Sequence, residues 1–405
     1  MSTMMVSASA SRGAPFLNVL DPSFDFGSAE ARAAREASWY AESPIGLLVL
    51  RYAEAQEFLR DQRLGPNNEK YLEMNGISGG PIWDWFVPMI GNRAGEDHRR
   101  LRSLINKAFT PRMINNLRVF IRQNAEELAE GLASADTPDF VEEFANKLPL
   151  AVMSHMFGIP AEDYETFRTW STDLGLVLSL TAGGDTAQRV ENAILGLNDY
   201  CDSLIRQKRD HPTGDLISAL VAAHEDDGRV SLTDVRSLLV TLVFAAHDTT
   251  RHQLANAMVA FAEHPDQWTL LAERPELTPQ AVEEVIRWRP AAATLFRYVK
   301  EDFEYDGVHI AKDTLLLICA SLAQRDPRTF GDADSFDITI AREVPTLQFG
   351  GGPHYCVGAA LARAELGEAL PVLASRLGPP SVAAPLSWRG PIGIAGPEAL
   401  PLTFG

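Results

Sequence analysis

A mainly α-helical fold with small β-sheets is what this sequence predicts, and three observations predict it. Helical periodicity dominates residues 96–290. One run, residues 233–263, holds that periodicity without a break from Thr233 to just before Pro265, which at about 1.5 Å per residue makes a helix roughly 45 Å long. After residue 290 the character changes to short strand-like runs, a Pro/Asp/Gly-rich meander and one last helix. No internal repeat and no Ser/Gly linker divides the chain, so residues 15–405 read as one domain and residues 1–14 as a disordered start.

Taken in order, residues 45–51 (IGLLVLR) read as a strand and 53–61 as a short helix. Residues 64–95 are rich in Gly, Pro and Asn and read as a long loop. They also hold Trp83, Trp85, Phe86 and Met89, which suits a lid or pocket wall better than a linker. Residues 141–157 form one amphipathic run that Gly158 and Pro160 end. Strands are expected at 296–300 and 314–319, the meander over 324–352, a helix over 357–376 and weak strands to the end.

Bulk properties narrow the function classes. Hydrophobic residues make up 46% and charged residues 22%, an ordinary globular balance. The net charge of −18 argues against a general nucleic-acid binder, which needs a basic surface. Cys201, Cys319 and Cys356 are far apart, odd in number and form no CxxC pair, which disfavours a disulfide framework or zinc ribbon and suits reduced cytoplasmic thiols. No run of about 18 apolar residues and no basic segment before an apolar core is visible, so neither a membrane anchor nor a signal peptide is expected.

The strongest motif is Phe349-Gly-Gly-Gly352-Pro-His354-Tyr-Cys356-Val-Gly358, an F-x-x-G-x-x-x-C-x-G pattern. Three consecutive glycines permit a tight turn whose backbone N–H groups can face a sulfur. Cys356 stands just before a helix start, where the macrodipole favours a thiolate. That helix opens with Gly358, Ala359, Ala360 and Ala362, small enough for a flat macrocycle to lie close. A thiolate donor on haem iron favours O–O cleavage. The glycines make no phosphate loop, because no Gly-Lys-Ser/Thr follows. Cys201 and Cys319 read as buried, inert thiols.

The second motif is Ala245-Ala-His-Asp248-Thr249-Thr250, in the middle of the long helix. Asp and Thr are poor interior helix formers, so their presence there invites a functional reason. Ala245 lies four residues before Thr249, on the same face. The Thr249 hydroxyl can bond back to the carbonyl of residue 245 and loosen the helix locally. A hydroxyl beside a carboxylate can relay protons, whereas His247 reads as structural.

Supporting pairs are weaker signals. Glu284 and Arg287 form an i,i+3 pair that Arg342 in the meander could join. His98 and Arg102 lie four apart and could hold the carboxylates of a cofactor, as could Arg297 and His354.

Together these motifs, in this order, resemble the cytochrome P450 family over nearly the whole chain. The resemblance implies that fold, with haem b (iron protoporphyrin IX) between the long central helix and the cysteine loop. It implies Cys356 as axial ligand, Asp248 and Thr249 as the proton-delivering pair, and Glu284, Arg287 and Arg342 as structural. His98, Arg102, Arg297 and His354 are implied to bind the propionates, with Ala245, Phe349 and Gly358 also against the cofactor. The chain has Ala246 where the family usually has Gly, and Ile340 where many bacterial members place the meander Arg, two residues before Arg342.

The same resemblance implies an apolar substrate pocket from Trp83, Trp85, Phe86, the 174–180 region (Leu174, Leu176, Val177, Leu178), Phe244, Ala245, Ala293, Leu295 and Ile392, hence a hydrophobic small molecule. With no flavin or nicotinamide fingerprint in the chain, electrons are expected from a separate ferredoxin and ferredoxin reductase. Arg99, Arg100, Arg112 and Arg363 are expected to form a local basic dock. Rival readings are a peroxide-driven use of the same haem, a non-catalytic haem protein, and a serine hydrolase at Gly76-Ile-Ser78-Gly-Gly80; the last lacks the strand–turn–helix setting its motif needs.

Overall fold

The computed structural model describes residues 13–21, 23–177, 185–227 and 231–405. Residues 1–12 of the expected disordered start, and Leu178 with residues 179–180 of the expected pocket wall, lie outside the described residues. The chain forms two compact units, each assembled from separate stretches of sequence. The first takes residues 1–66, 252–356 and 377–405, and the second takes residues 67–251 and 357–376.

The first unit is organised by a mixed sheet. Its strands, with one small hairpin, are β1 (Tyr40–Ser43), β2 (Gly46–Val49), β3 (Leu64–Gly65), β4 (Leu295–Val299), the hairpin β5 (Phe303–Tyr305) and β6 (Val308–Ile310), and β7 (Leu315–Ile318). The five-stranded order is β1-β2-β7-β4-β3. β2 pairs parallel to β7, with Leu47 opposite Leu316 and Val49 opposite Ile318. Both central strands, GLLV and LLLI, are buried along their whole length. Such unbroken apolar runs are what a sheet covered on both faces requires. Alternate side chains accordingly enter two different cores. Leu47, Val49, Leu316 and Ile318 join Trp39, Phe58 and Phe330, whereas Leu48, Leu50, Leu315 and Leu317 join Leu17, Phe26 and Tyr298. Gly46, at φ 155°, is required: a Cβ there would stand 2.2 Å from the Leu315 carbonyl oxygen.

The second unit is helical. Its helix Pro111–Ala133 buries Ile114, Leu117, Ile121, Ala125, Ala129 and Leu132, a single stripe at three- and four-residue steps, against the helix Ala359–Arg376. Arg118 Nη1 and Arg122 Nε each donate to the Glu368 carboxylate on that second helix, both at 2.8 Å. One turn earlier, Glu365 is buried, its Oε2 has no hydrogen-bond partner, and burial pushes its carboxyl up to about 8. A raised folded value means that ionisation opposes folding increasingly as pH climbs from the ordinary 4.5 to about 8. Glu365→Gln is therefore expected to leave stability unchanged at pH 4 and to raise it by up to about 5 kcal/mol at pH 9. Urea midpoints at the two pH values check this, and an equal shift at both would count against it.

The long helix spans Leu232–Glu263, one residue earlier than its sequence pattern suggests; residues up to Arg251 belong to the second unit and those from His252 to the first. Two expectations need correction. Residues 64–95 are not a continuous loop: they contain helices Asn68–Met74 and Pro81–Phe86 and a 3₁₀ turn at Ile90–Asn92. The Asn and Pro that suggested a loop are helix-start residues: the Asn67 side chain accepts from Lys70 N at 3.0 Å, and Pro81 occupies the first turn. The run 141–157 is likewise not one helix but a π-turn at Val141–Ala145 followed by the helix Lys147–Phe157. Among the described residues no helix is long and apolar enough to cross a membrane.

Candidate active site

In the first unit the cysteine loop is shaped by its glycines. Gly350 and Gly352 adopt left-handed φ values of 71° and 62°, which cost a glycine little. The turn closes with Gly350 N on Leu347 O at 2.8 Å and Cys356 N on Phe349 O at 2.8 Å. A Cβ at Gly351 would press on Leu59 Cβ at 3.1 Å, so the loop lies tightly on the chain at 59–60. Phe349 is buried, His354 half-buried and Cys356 exposed, three residues before the helix Ala359–Arg376 begins. The other two cysteines are buried, and burial pushes both thiols up, Cys201 to about 12. Cys356 is thus the cysteine best placed to serve as a thiolate donor.

Arg297, on β4, is the second telling group. Its Nη1 donates to the Phe296 carbonyl at 2.8 Å, no carboxylate among the described residues pairs with it, and desolvation lowers its guanidinium to about 10. A half-buried cation without an anion fits a ligand that brings one. An exposed thiol and an acceptor-poor arginine in one unit are a donor set that suits a haem with its propionates.

The meander is tied to its helix by Glu284, which is fully buried. It accepts from Arg287 Nε and Nη2, both at 2.8 Å, from Arg342 Nε at 2.8 Å and Nη2 at 3.0 Å, and from Asp337 N at 3.0 Å. Arg287 also donates to the carbonyls of Gln324, Ala333 and Ser335, and Arg342 to both oxygens of Asp332. Burial alone would raise the Glu284 carboxyl, but the two guanidinium groups overturn this and hold it below its ordinary range. Arg342, despite its shifted place in the sequence, is the meander arginine of this cluster.

In the second unit the long helix carries Asp248 and Thr249. Thr249 Oγ1 donates to Ala245 O at 2.8 Å. Asp248 is buried and its Oδ1 accepts from Arg251 Nη2 at 2.9 Å. Gly175, ending the helix Tyr164–Gly175, packs beside it, where a Cβ would stand 3.4 Å from Asp248 Cγ, in ordinary van der Waals contact. Sequence reasoning overlooked Arg251, although its i,i+3 spacing from Asp248 was a usable signal. His98 and Arg102 share the helix Gly95–Ala108; burial, then the Arg102 charge, lowers the His98 imidazole.

The expected pocket residues fall into groups. Trp85, Phe86 and Phe244 form an aromatic cluster, with Phe244 edge-on at 5.5 and 6.4 Å from the other two rings. Tyr71, 5.8 Å from Phe86, donates to the carbonyl of buried Val177 at 3.0 Å. Leu176 and Trp83 are half-buried, and Trp83 takes no part in these ring contacts. In the first unit Leu295 packs against one core and Ile392 against the other, while Ala293 is buried with its N–H on Gly393 O at 2.9 Å. Arg99 and Arg112 are exposed and Arg363 half-buried, but Arg100 is engaged by Asp234 at 3.2 Å, which reduces the free charge of the expected dock.

An exposed cysteine after a glycine turn, a carboxylate–hydroxyl pair inside a long helix and a buried Glu–Arg–Arg cluster fit a haem-thiolate oxygenase. The chain belongs to the cytochrome P450 family, whose model (Cytochrome P450) matches residues 87–273 and 266–376. It is 46% identical to luteothin monooxygenase of Streptomyces thioluteus over 96% of both chains. It is also 35% identical to mycinamicin IV hydroxylase/epoxidase of Micromonospora griseorubida, over 88% of this chain and 89% of that one. The solved structure of cytochrome P450 CYP109Q5 from Chondromyces apiculatus, 30% identical, matches it with a TM-score of 0.86 over 96% of this chain and 98% of that one. The helix-rich fold with small sheets is the cytochrome P450 fold, and the protein is a cytochrome P450 monooxygenase that uses a haem-thiolate cofactor on a small-molecule substrate.

Proposed function

We propose that this enzyme inserts one oxygen atom from dioxygen into a C–H or C=C bond of a hydrophobic small molecule, with electrons from a ferredoxin and its reductase. The balance is substrate, O2, two electrons and two protons in; oxygenated product and one water out. Haem b supplies oxygen activation when bound. On this reading Cys356 would hold its iron, His98, Arg102, Arg297 and His354 would hold its propionates, and Ala245, Phe349 and Gly358 would flank it. Glu284, Arg287 and Arg342 keep the meander in place.

The observation that carries this reading is the Thr249–Ala245 hydrogen bond beside buried Asp248. A hydroxyl tied to a helix carbonyl is held in one orientation with its lone pairs free to accept, and on releasing that carbonyl it can pass its own proton on while accepting another behind it. Asp248, gripped by Arg251, can swing between that partner and the hydroxyl, resupplying protons. Within the second unit Trp85, Phe86, Leu176, Val177 and Phe244 would supply the apolar side chains that keep water from this pair. The kinship with luteothin monooxygenase makes luteothin the first compound to test.

Thr249→Ala is expected to keep consuming reductant while product per electron pair falls about 10-fold or more, and Asp248→Asn to slow turnover by about 10²-fold. The assay feeds the haem-loaded protein from ferredoxin and reductase. Unchanged product yield in both variants would remove the proton relay. Faster turnover with hydrogen peroxide than with the reductase would remove the ferredoxin route.

A further inference from the structure

The first unit contains a cleft of about 620 Å³ that shares one residue, Ala293, with the expected substrate wall and otherwise has no part in the proposed reaction. Its walls bring together Trp288, Arg289, Arg325, Trp388 and Arg389, with the carboxylates Asp25 and Glu263. Two of the three arginines have acidic partners: Arg289 pairs with Glu263 at 2.5 Å and Arg389 with Glu398 at 2.9 Å. Arg325 has none. Its Nη2 donates to the Trp288 carbonyl at 3.0 Å, and its guanidinium lies over the Trp288 ring, 3.5 Å from the centroid. Burial, with the charges of Arg289 and Arg287 next in weight, lowers it to about 10, so it remains a cation at neutral pH in surroundings that disfavour one.

The same corner is short of acceptors. Arg289 Nε and Trp288 Nε1 are buried without a hydrogen-bond partner. Such orphan donors are costly, and a ligand that brings acceptors and negative charge relieves them. On the outer wall Trp388 is 42% exposed, an unusual state for a large ring, and the Arg289 guanidinium stands 5.5 Å from its centroid. A flat ring laid on Trp388 would complete a stack against an already cationic neighbour. The volume falls within the range of small-molecule sites.

We infer that this cleft is a binding site for an aromatic carboxylate, with the carboxylate on Arg325 and the ring on Trp388. The pairing is specific in both halves. A guanidinium lacking an acid partner selects a planar anion over a neutral group, and the exposed indole selects an aromatic over an aliphatic body.

The test titrates the haem-loaded full-length protein with 1-naphthoate in a calorimeter. One site of micromolar to millimolar affinity is expected. Arg325→Gln and Trp388→Ala should each weaken binding by about 10-fold or more, and neutral 1-naphthamide should bind the parent protein about 10-fold more weakly. Trp388 is a surface residue, so its variant tests the site even if Arg325→Gln folds poorly. Saturating the haem with imidazole should leave the isotherm unchanged. No binding heat, unaltered affinity in Trp388→Ala, or displacement of naphthoate by imidazole would each overturn the assignment.

Discussion

Serine in place of Cys356 is expected to abolish the thiolate-type absorption of the reduced, carbon monoxide-bound protein and to reduce monooxygenase turnover to background. The reason lies in the contrast among three sulfurs. Cys201 and Cys319 are buried and burial pushes their thiols up, which keeps both protonated and inert. Cys356 alone is exposed, and its backbone is fixed by the hydrogen bond to Phe349 O in a turn that two left-handed glycines make possible. A serine hydroxyl is a far poorer anion and cannot push electron density as a thiolate does. The exchange leaves the surrounding turn intact, so apoprotein stability should change by no more than about 0.5 kcal/mol. Circular dichroism and a urea midpoint on apoprotein therefore separate loss of the ligand from loss of the fold. Cys201→Ser and Cys319→Ala serve as controls that keep the absorption. A thiolate-type spectrum surviving in Cys356→Ser would refute the assignment of this ligand.

What the sequence made legible follows from how local each signal is. The two central strands could be read because GLLV and LLLI are apolar at every position. The long helix could be read because its periodicity runs unbroken to Pro265. The Thr249–Ala245 bond follows from an i,i−4 relation inside that helix, so residue spacing alone suggests it. Where information is not local, reading failed. The helices at Asn68–Met74 and Pro81–Phe86 are too short for periodicity to register, and their capping residues have loop-like composition. Gln324 could not be foreseen either: its side chain donates to the carbonyls of Ile286 and Arg287 and accepts from Leu347 N, joining segments far apart in sequence. Arg342 stood two residues from its expected place, yet a long, forked side chain in an irregular segment reaches Glu284 from there.

Glu284→Gln is expected to cost about 3–5 kcal/mol, because it leaves two buried guanidinium groups without their shared anion. That is a large part of the roughly 5–15 kcal/mol that holds a typical domain together. Arg287 retains three backbone carbonyls and Arg342 retains Asp332, so the segment keeps its hydrogen bonds but loses the charge at their centre. The pH dependence isolates that charge. Because the folded carboxyl titrates below its ordinary 4.5, the stabilisation is complete above that value and is lost as pH falls through the folded value. The glutamine variant lacks this transition. The stability difference between parent and variant, read from urea midpoints, should therefore be widest at pH 6–7 and narrow below about pH 4. Glu365 acts in the opposite sense, its cost growing as pH rises, so the double variant Glu284→Gln, Glu365→Gln should have a stability less dependent on pH than the parent at both ends. A gap between parent and Glu284→Gln that stays constant from pH 7 to pH 3 would mean that shape, and not the carboxylate charge, fixes the meander.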